Sequence, residues 1–304
     1  MDTIAVDPYY TLIVATLVLL VGRLMVDRIK FLQDFNIPEP VAGGLLAAVI
    51  IYILHVSTGV SFAFDKGLQD SFMLIFFSSI GLSADFSRLK AGGVGLVLFL
   101  LVVSAFIVVQ NVVGVGLAGA LGLDPIIGLV TGSITLTGGH GTAGAWGKVL
   151  EEQHHIVGAT DLGMASATFG LVLGGLIGGP VARKLVNKMG MKPSAKAAQA
   201  HDTADSAIDD VFEHAHQRRL ITANAAVETM ALFAACLAFS ALMTTPEVKS
   251  FLPSWFTLPQ FVWALLFGVL LRNFLTSAFK VNMFDRAIDV FGNASLSIFL
   301  GIAL

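Results

Sequence analysis

Charge is scarce in this chain. Only 13% of its 304 residues are Asp, Glu, Lys or Arg, about half the share of a soluble domain. A globule of this size cannot cover itself with so few charges, which excludes a single soluble domain. The net charge of −3 and the lack of a basic domain exclude nucleic acid as a partner. Cysteine is nearly absent. Cys236 stands alone, so no intrachain disulfide can form and a disulfide scaffold is excluded. The phosphate-loop string G-x-x-x-x-G-K-[ST] is missing, as are H-E-x-x-H and paired cysteine ligands, so neither a cofactor nor a transition metal is expected. The intramembrane protease strings G-x-S-G and G-x-G-D are missing too, which argues against an enzyme.

What is abundant is apolar sequence, at 56% of residues with a mean hydropathy of +0.82. A helix needs about 20 mostly apolar residues to span a bilayer. Segments near 9–26, 39–57, 67–84, 93–119, 125–147, 160–182, 220–243, 258–276 and 288–304 meet that description. The expected class is an all-α polytopic membrane protein whose solvent is the lipid bilayer. Asp2 and Asp7 stand where a signal peptide would carry Lys or Arg, so the first run reads as a retained helix. Residues 184–219 differ in kind, with an Ala/Ser/Lys centre. They read as a solvated linker, with a short helix expected near 204–217.

Basic residues in short loops set the orientation. With the N-terminus outside, everything turns on segment 125–147. If it dips in and returns, 15 of the 18 basic residues lie inside, and only Lys66, Lys148 and Lys249 lie outside. If it crosses, the lysine-rich linker is forced outside. A re-entrant hairpin over 125–147 is therefore expected. Non-helical backbone at that depth is tolerated only inside protein or against a water-filled cavity.

An internal repeat points the same way. Phe35, Pro38, Val41 and Leu45 match Phe256, Pro259, Val262 and Leu266 at an offset of 221, and Glu39 faces Gln260. Five crossings in the first unit would turn the second upside down, the inverted-repeat plan of secondary transporters. The division expected is 1–183 for the first repeat, 184–219 for a cytoplasmic linker and 220–304 for part of the second. The same offset projects about 100 residues beyond Leu304.

Residues 128–179 hold 14 of the 31 glycines. At their centre lie Ser133, Thr135, Thr137, Gly138, Gly139, His140, Gly141 and Thr142. Glycine lets a ligand approach the main chain. The hydroxyls of Ser133, Thr135 and Thr137, with unwound carbonyls, can coordinate Na⁺, and half-helix N-termini can hold a carboxylate. The bland alternative is close helix packing. His140 is a proton relay, a site donor or a structural residue. Ser166 and Thr168 on the next helix are further candidates, and Asp161 is either a site residue or a helix cap. Glu228 is the only carboxylate well inside an expected span and is a candidate on that ground. Gln110 and Asn111 interrupt the fourth helix and can hydrogen-bond across helices. The clusters Glu151, Glu152, His154, His155 and Glu213, His214, His216 read as solvated loops.

Several strings are similar to those of bacterial sodium/glutamate symporters. They are Ile37-Pro38-Glu39-Pro40-Val41-Ala42-Gly43-Gly44, Ile80-Gly81-Leu82, and Gly132-Ser133-Ile134-Thr135-Leu136 with Gly138-Gly139-His140-Gly141-Thr142. A fourth runs from Thr168-Phe169-Gly170 through Gly178-Gly179-Pro180 to Arg183. The resemblance covers essentially the whole chain except the linker. It implies ten helices in two inverted repeats, each with a re-entrant hairpin, in a homodimer of the elevator kind. It also implies Na⁺ as coupling ion and uptake of L-glutamate across the inner membrane. A different organic anion, proton coupling, or a non-transporting folding or dimerisation unit are the alternatives.

Overall fold

The computed structural model describes residues 2–34, 37–188, 221–253, 258–280, 283 and 285–303. The short helix expected near 204–217 lies outside the described residues, as do Phe35 and Phe256 of the repeat.

Helices begin where a cap or a proline precedes an apolar run. Asp7 accepts from the Tyr10 amide at 3.0 Å and Pro8 opens α1 (Pro8–Arg28). A short α2 (Lys30–Asp34) follows. Pro38 starts α3 (Glu39–Thr58), which ends at Gly59 with φ +73°. Asp65 accepts from the Leu68 amide at 2.7 Å and starts α4 (Lys66–Ser83). Two four-residue strands, β1 (Asp2–Ala5) and β2 (Val60–Ala63), pair in parallel. They are too short to leave a periodic signal and were not anticipated from sequence.

Then come α5 (Phe86–Ala91) and the long α6 (Gly93–Ala120). The segment expected to form a hairpin consists of α7 (Pro125–Leu129), a widened π turn over Val130–Ile134, and α8 (Gly139–His154). α8 runs seven residues beyond the expected end at 147. Glu151 and Glu152 are therefore helical, not part of a loop. α9 (Ala159–Lys188) also continues past the expected boundary at 183, carrying Pro180 inside it. The second half supplies α10 (Ala223–Met243), α11 (Pro246–Phe251), α12 (Gln260–Phe279) and α13 (Asp285–Ala303).

Among the described residues seven helices are long and apolar enough to cross a membrane: α1, α3, α6, α9, α10, α12 and α13. α4 is not among them, and its burial explains why. It packs along α12 and α13 and touches α10 and α1. Its inward face carries Ser78 and Ser79 beside Leu74, Phe77 and Leu82. Both hydroxyls donate within the helix, to the Leu74 and Phe76 carbonyls at 2.7 Å. A helix enclosed by protein can carry such groups; a lipid-facing one needs more apolar surface.

Two packing groups result. The first joins α1, α3, α4, α10, α12 and α13. Glycine lets two of its helix pairs touch backbone to backbone. A side chain on Gly43 would strike the Val18 carbonyl of α1, and one on Gly81 would strike the Leu265 carbonyl of α12. The second group joins α6, α7, the π turn, α8 and α9. The groups meet along α8, whose Gly141, Ala143, Gly144 and Ala145 are buried. Opposite stand Phe76 of α4, Phe299 of α13 and Phe261 of α12, with Trp146 edge-on to Phe261 at 5.6 Å. That seam is the main apolar core.

Candidate functional site

Asp124 caps α7, accepting from the Ile126 amide at 2.8 Å, and Pro125 fixes its first turn. Glycine at 128 presses backbone against backbone at Gly114 of α6. The helix then widens. Gly132 leaves helical geometry at φ −100°, ψ −121°. Thr135, 2% exposed, donates to the Val130 carbonyl at 2.8 Å and so stitches the widened turn. The Thr137 and Gly138 amides both reach the Ser133 carbonyl at 3.2 Å. Gly139, at φ +77°, turns the chain into α8.

The tip is therefore a broken helix followed by a helix start. No side chain caps α8 at Gly138. Thr142 instead donates back across the turn, 2.9 Å from the Ile134 carbonyl and 3.1 Å from that of Gly139. First-turn amides of α8 remain directed at the tip, where the helix dipole favours an anion.

Neighbouring helices hold the tip from two sides. On α6, Gln110 Oε1 accepts from the Thr137 hydroxyl at 2.5 Å. The adjoining Asn111 Oδ1 is buried, and among the described residues it has no hydrogen-bond partner. On α9, Thr168 donates to the Met164 carbonyl at 2.9 Å and lies 3.0 Å from His140 Nε2. With its proton spent on Met164, the Thr168 oxygen accepts from Nε2–H, which makes Nδ1 the acceptor nitrogen of a neutral His140 ring. Ser133 and Ser166 are half-buried, and among the described residues neither hydroxyl has a hydrogen-bond partner. A cavity of about 620 Å³, mostly apolar, lies between α6 and the tip, with Gln110, Thr131 and Gly132 among its walls.

Structure thus gathers Thr137, His140, Thr142 and Thr168 at one end of α8, next to Gln110. Thr135 lies underneath, enclosed, with its hydroxyl committed to the backbone. Two sequence candidates fall elsewhere. Glu228 is on the exposed face of α10, in the other packing group. Asp161 sits in the first turn of α9, at the far end of α8 from His140. It is not the cap of that helix. Glu151 does the capping, accepting from the Thr160 amide at 2.9 Å.

Sequence reading passed over two ionic groups. Lys148 of α8 is paired with Asp70 of α4 and lies 3.8 Å from Glu152. Arg272 of α12, 5% exposed, lies 2.5 Å from Asp285 and 3.5 Å from Asp85. Arg272 falls inside the expected span 258–276, and a charge at that depth was the available signal. The first pair carried none, since its partners are 78 residues apart. Among the described residues no group of three or more His, Cys, Asp and Glu is placed to hold a metal.

Residues 4–304 match the family described as sodium/glutamate symporter. The chain belongs to that family. Its curated relatives include the sodium/glutamate symporter of Haemophilus influenzae, 48% identical over 298 residues, covering 97% of this chain and 71% of the relative. The sodium/glutamate symporters of Escherichia coli and Shigella flexneri are each 45% identical over 304 residues, covering 98% of this chain and 72% of the relative. No solved structure matches. A sodium/glutamate symporter is a transporter and not an enzyme. That agrees with a site made of hydroxyls, carbonyls and helix ends.

Proposed function

We propose that this chain carries out sodium-coupled uptake of L-glutamate across the bacterial inner membrane, with Na⁺ as coupling ion and no cofactor. The family match along 4–304 carries the reading. At the tip, the α8 amides offer a place for a substrate carboxylate, and His140 and Thr168 stand beside it. The oxygens of Ser133, Thr135 and Thr137, with the carbonyls freed by the break at Gly132, are the proposed Na⁺ ligands. Na⁺ bound there offsets the charge of a dicarboxylate entering a low-dielectric site. Labelled L-glutamate uptake into proteoliposomes should follow an imposed Na⁺ gradient. Equal uptake without the gradient would refute coupling, and competition by other organic anions would widen the substrate class.

An inverted repeat belongs to the same proposal, as does the division into 1–183, 184–219 and 220–304. Helix lengths support it. α1, α2, α3 and α4 have 21, 5, 20 and 18 residues; α10, α11, α12 and α13 have 21, 6, 20 and 19. α3 and α12 both follow a proline and stand 221 residues apart throughout. Packing supports it as well. Exchanging α1 with α10, α3 with α12 and α4 with α13 turns each packed pair into another packed pair. The pair α1 and α3 becomes α10 and α12, and α4 with α12 becomes α13 with α3.

The hairpin is proposed as re-entrant from the periplasmic side, with the N-terminus periplasmic and 184–219 cytoplasmic. A cysteine replacing Glu151 should then react with an impermeant thiol reagent from outside, and one replacing Lys196 should not; the reverse pattern removes the hairpin. We further propose that α6–α9 move as a unit against the six-helix bundle in a homodimer. The smooth seam of small residues on α8 against aromatic rings is what supports that motion.

A further inference from the structure

The seam between the two packing groups is apolar except at its outer end. There Lys148 of α8 reaches across to Asp70 of α4. Two polar cavities adjoin this pair, of about 320 and 180 Å³. Asp70, Met73, Lys148 and Glu152 line both. The ion pair is the partition between them. The larger cavity also presents Lys66, Glu151 and Asp161.

Each partner has a second partner on its own helix. Glu152 is one turn beyond Lys148, already 3.8 Å from its ammonium. Lys66 is one turn before Asp70 and lines the same cavity. Residues four apart on a helix are neighbours. If α8 withdraws from α4, Lys148 falls back on Glu152 and Asp70 on Lys66. One pair between units is exchanged for two pairs within helices, and no charge is left bare. The side chains of Lys148 and Asp70 are 32% and 31% exposed, so water screens them and neither arrangement is strongly held.

We propose that Lys148 and Asp70 form a two-state ionic latch between the hairpin unit and the helix bundle, closed in this structure and released onto Glu152 and Lys66 when the unit moves. The inference rests on the moving-unit reading given above. It assigns to these four residues a control of the closed-to-open ratio, not substrate binding.

Paired spin labels on cysteines replacing Gly67 of α4 and His154 of α8, both exposed, would report the separation in liposomes. Native Cys236 is fully buried and escapes labelling. Two separations are expected, with their ratio set by Na⁺ and L-glutamate. Lys148→Gln and Asp70→Asn each delete one pair from both arrangements, so each alone should move the open-to-closed ratio by less than about twofold. Glu152→Gln should lower it, because it removes a fall-back partner. The exchange Asp70→Lys with Lys148→Asp should lower it further. It keeps the pair but sets Lys66 beside a lysine and Glu152 beside an aspartate. An ordinary structural ion pair would predict no change from Glu152→Gln and mere restoration from the exchange; that outcome overturns the latch. Two separations in the same ratio in every variant overturn it too. A single separation in all variants, with ligands present or withheld, overturns the moving-unit reading and the latch with it.

Discussion

Gly144 offers the most direct test of the seam. It lies where α8 crosses α13. A Cβ built there would strike the edge of the Phe299 ring at Cζ and lie 2.9 Å from the Met164 methyl. Phe299 is 1% exposed and Met164 2%, so neither has open space to enter. Gly144→Ala therefore carries an overpacking cost of about 1–3 kcal/mol. Against it stands the gain of alanine over glycine in a helix, about 1 kcal/mol. The gain alone can be read at Gly174 of α9, where an added Cβ meets nothing within 4 Å. Subtracting Gly174→Ala from Gly144→Ala removes the propensity contribution and leaves the packing cost. In thermal unfolding of detergent-solubilised protein, each kcal/mol of that difference corresponds to about 2–4 °C. Phe299→Leu should relieve the clash, so the double variant should be more stable than additivity allows, by about 0.5–3 kcal/mol. If Gly144→Ala melts with Gly174→Ala or above it, α8 is not pressed against α13 and the seam as described is wrong.

Four further outcomes follow from polar contacts. Arg272→Met would leave Asp85 and Asp285 facing each other without their cation, a loss of about 3–5 kcal/mol; a chemical-denaturation shift below about 1 kcal/mol would refute the cluster's role. The hydroxyl and amide of Ser87, and then Arg272, hold the Asp85 carboxyl below its usual 3.8. A depressed folded-state value means the contribution is whole above 3.8 and fades as pH falls through that lower value, so Asp85→Asn should flatten stability against pH at the acid end and leave its neutral slope alone. Thr135→Val should cost about 0.5–1.5 kcal/mol by removing the hydroxyl's hydrogen bond to the enclosed Val130 carbonyl, and melting at the native temperature would show that the π turn does not need its stitch. At the tip, His140→Gln should cut uptake while Gln110→Leu, which unties only Thr137, cuts it less; the opposite ranking in proteoliposome uptake would move the site towards α6.

Helices were legible because apolar length announces them, and their caps fixed most boundaries within a few residues. The limits appear where local sequence and tertiary context diverge. α4 reads as another lipid-spanning segment, yet its serines belong to a helix enclosed by four others. α8 reads as ending near 147. In the structure Lys148, Glu151 and Glu152 continue it as a helix whose charged last turn faces α4 and the start of α9. Glycine density at 128–179 marked the segment in which the helix breaks at Gly132 but could not rank its hydroxyls. Thr135 and Thr137 look alike in sequence. One is sealed against Val130 and the other reaches Gln110, a difference made by the break at Gly132. Glu228 was chosen for its depth in an apolar run, and depth says nothing about which side of a helix faces inward.

The two ionic groups at the ends of α4 differ in how firmly they are held. One lies near its start, at Asp70, and one just past its end, at Asp85. The two stand fifteen positions apart, about 22 Å at the rise of a helix. Arg272 at the far end is almost wholly enclosed and holds carboxylates from α4's exit and α13's entry. Removing a charge from such a place costs several kcal/mol, so these elements stay together. Lys148 and Asp70 at the near end are one-third exposed, and water can take over either charge. An ion pair in the middle of the seam would have to be stripped of both partners each time the units slid, at the cost of a buried unpaired charge. Here the middle is apolar, with glycine and alanine of α8 set against aromatic rings, Met73 and Leu300, which exchange one apolar contact for another. The breakable charges stand where solvent can receive them, and the unbreakable ones bind parts that need not separate. That placement is compatible with the proposed sliding of α6–α9 against the bundle, and it is why the Lys148–Asp70 pair, not the Arg272 cluster, is the place to test for control of that proposed motion.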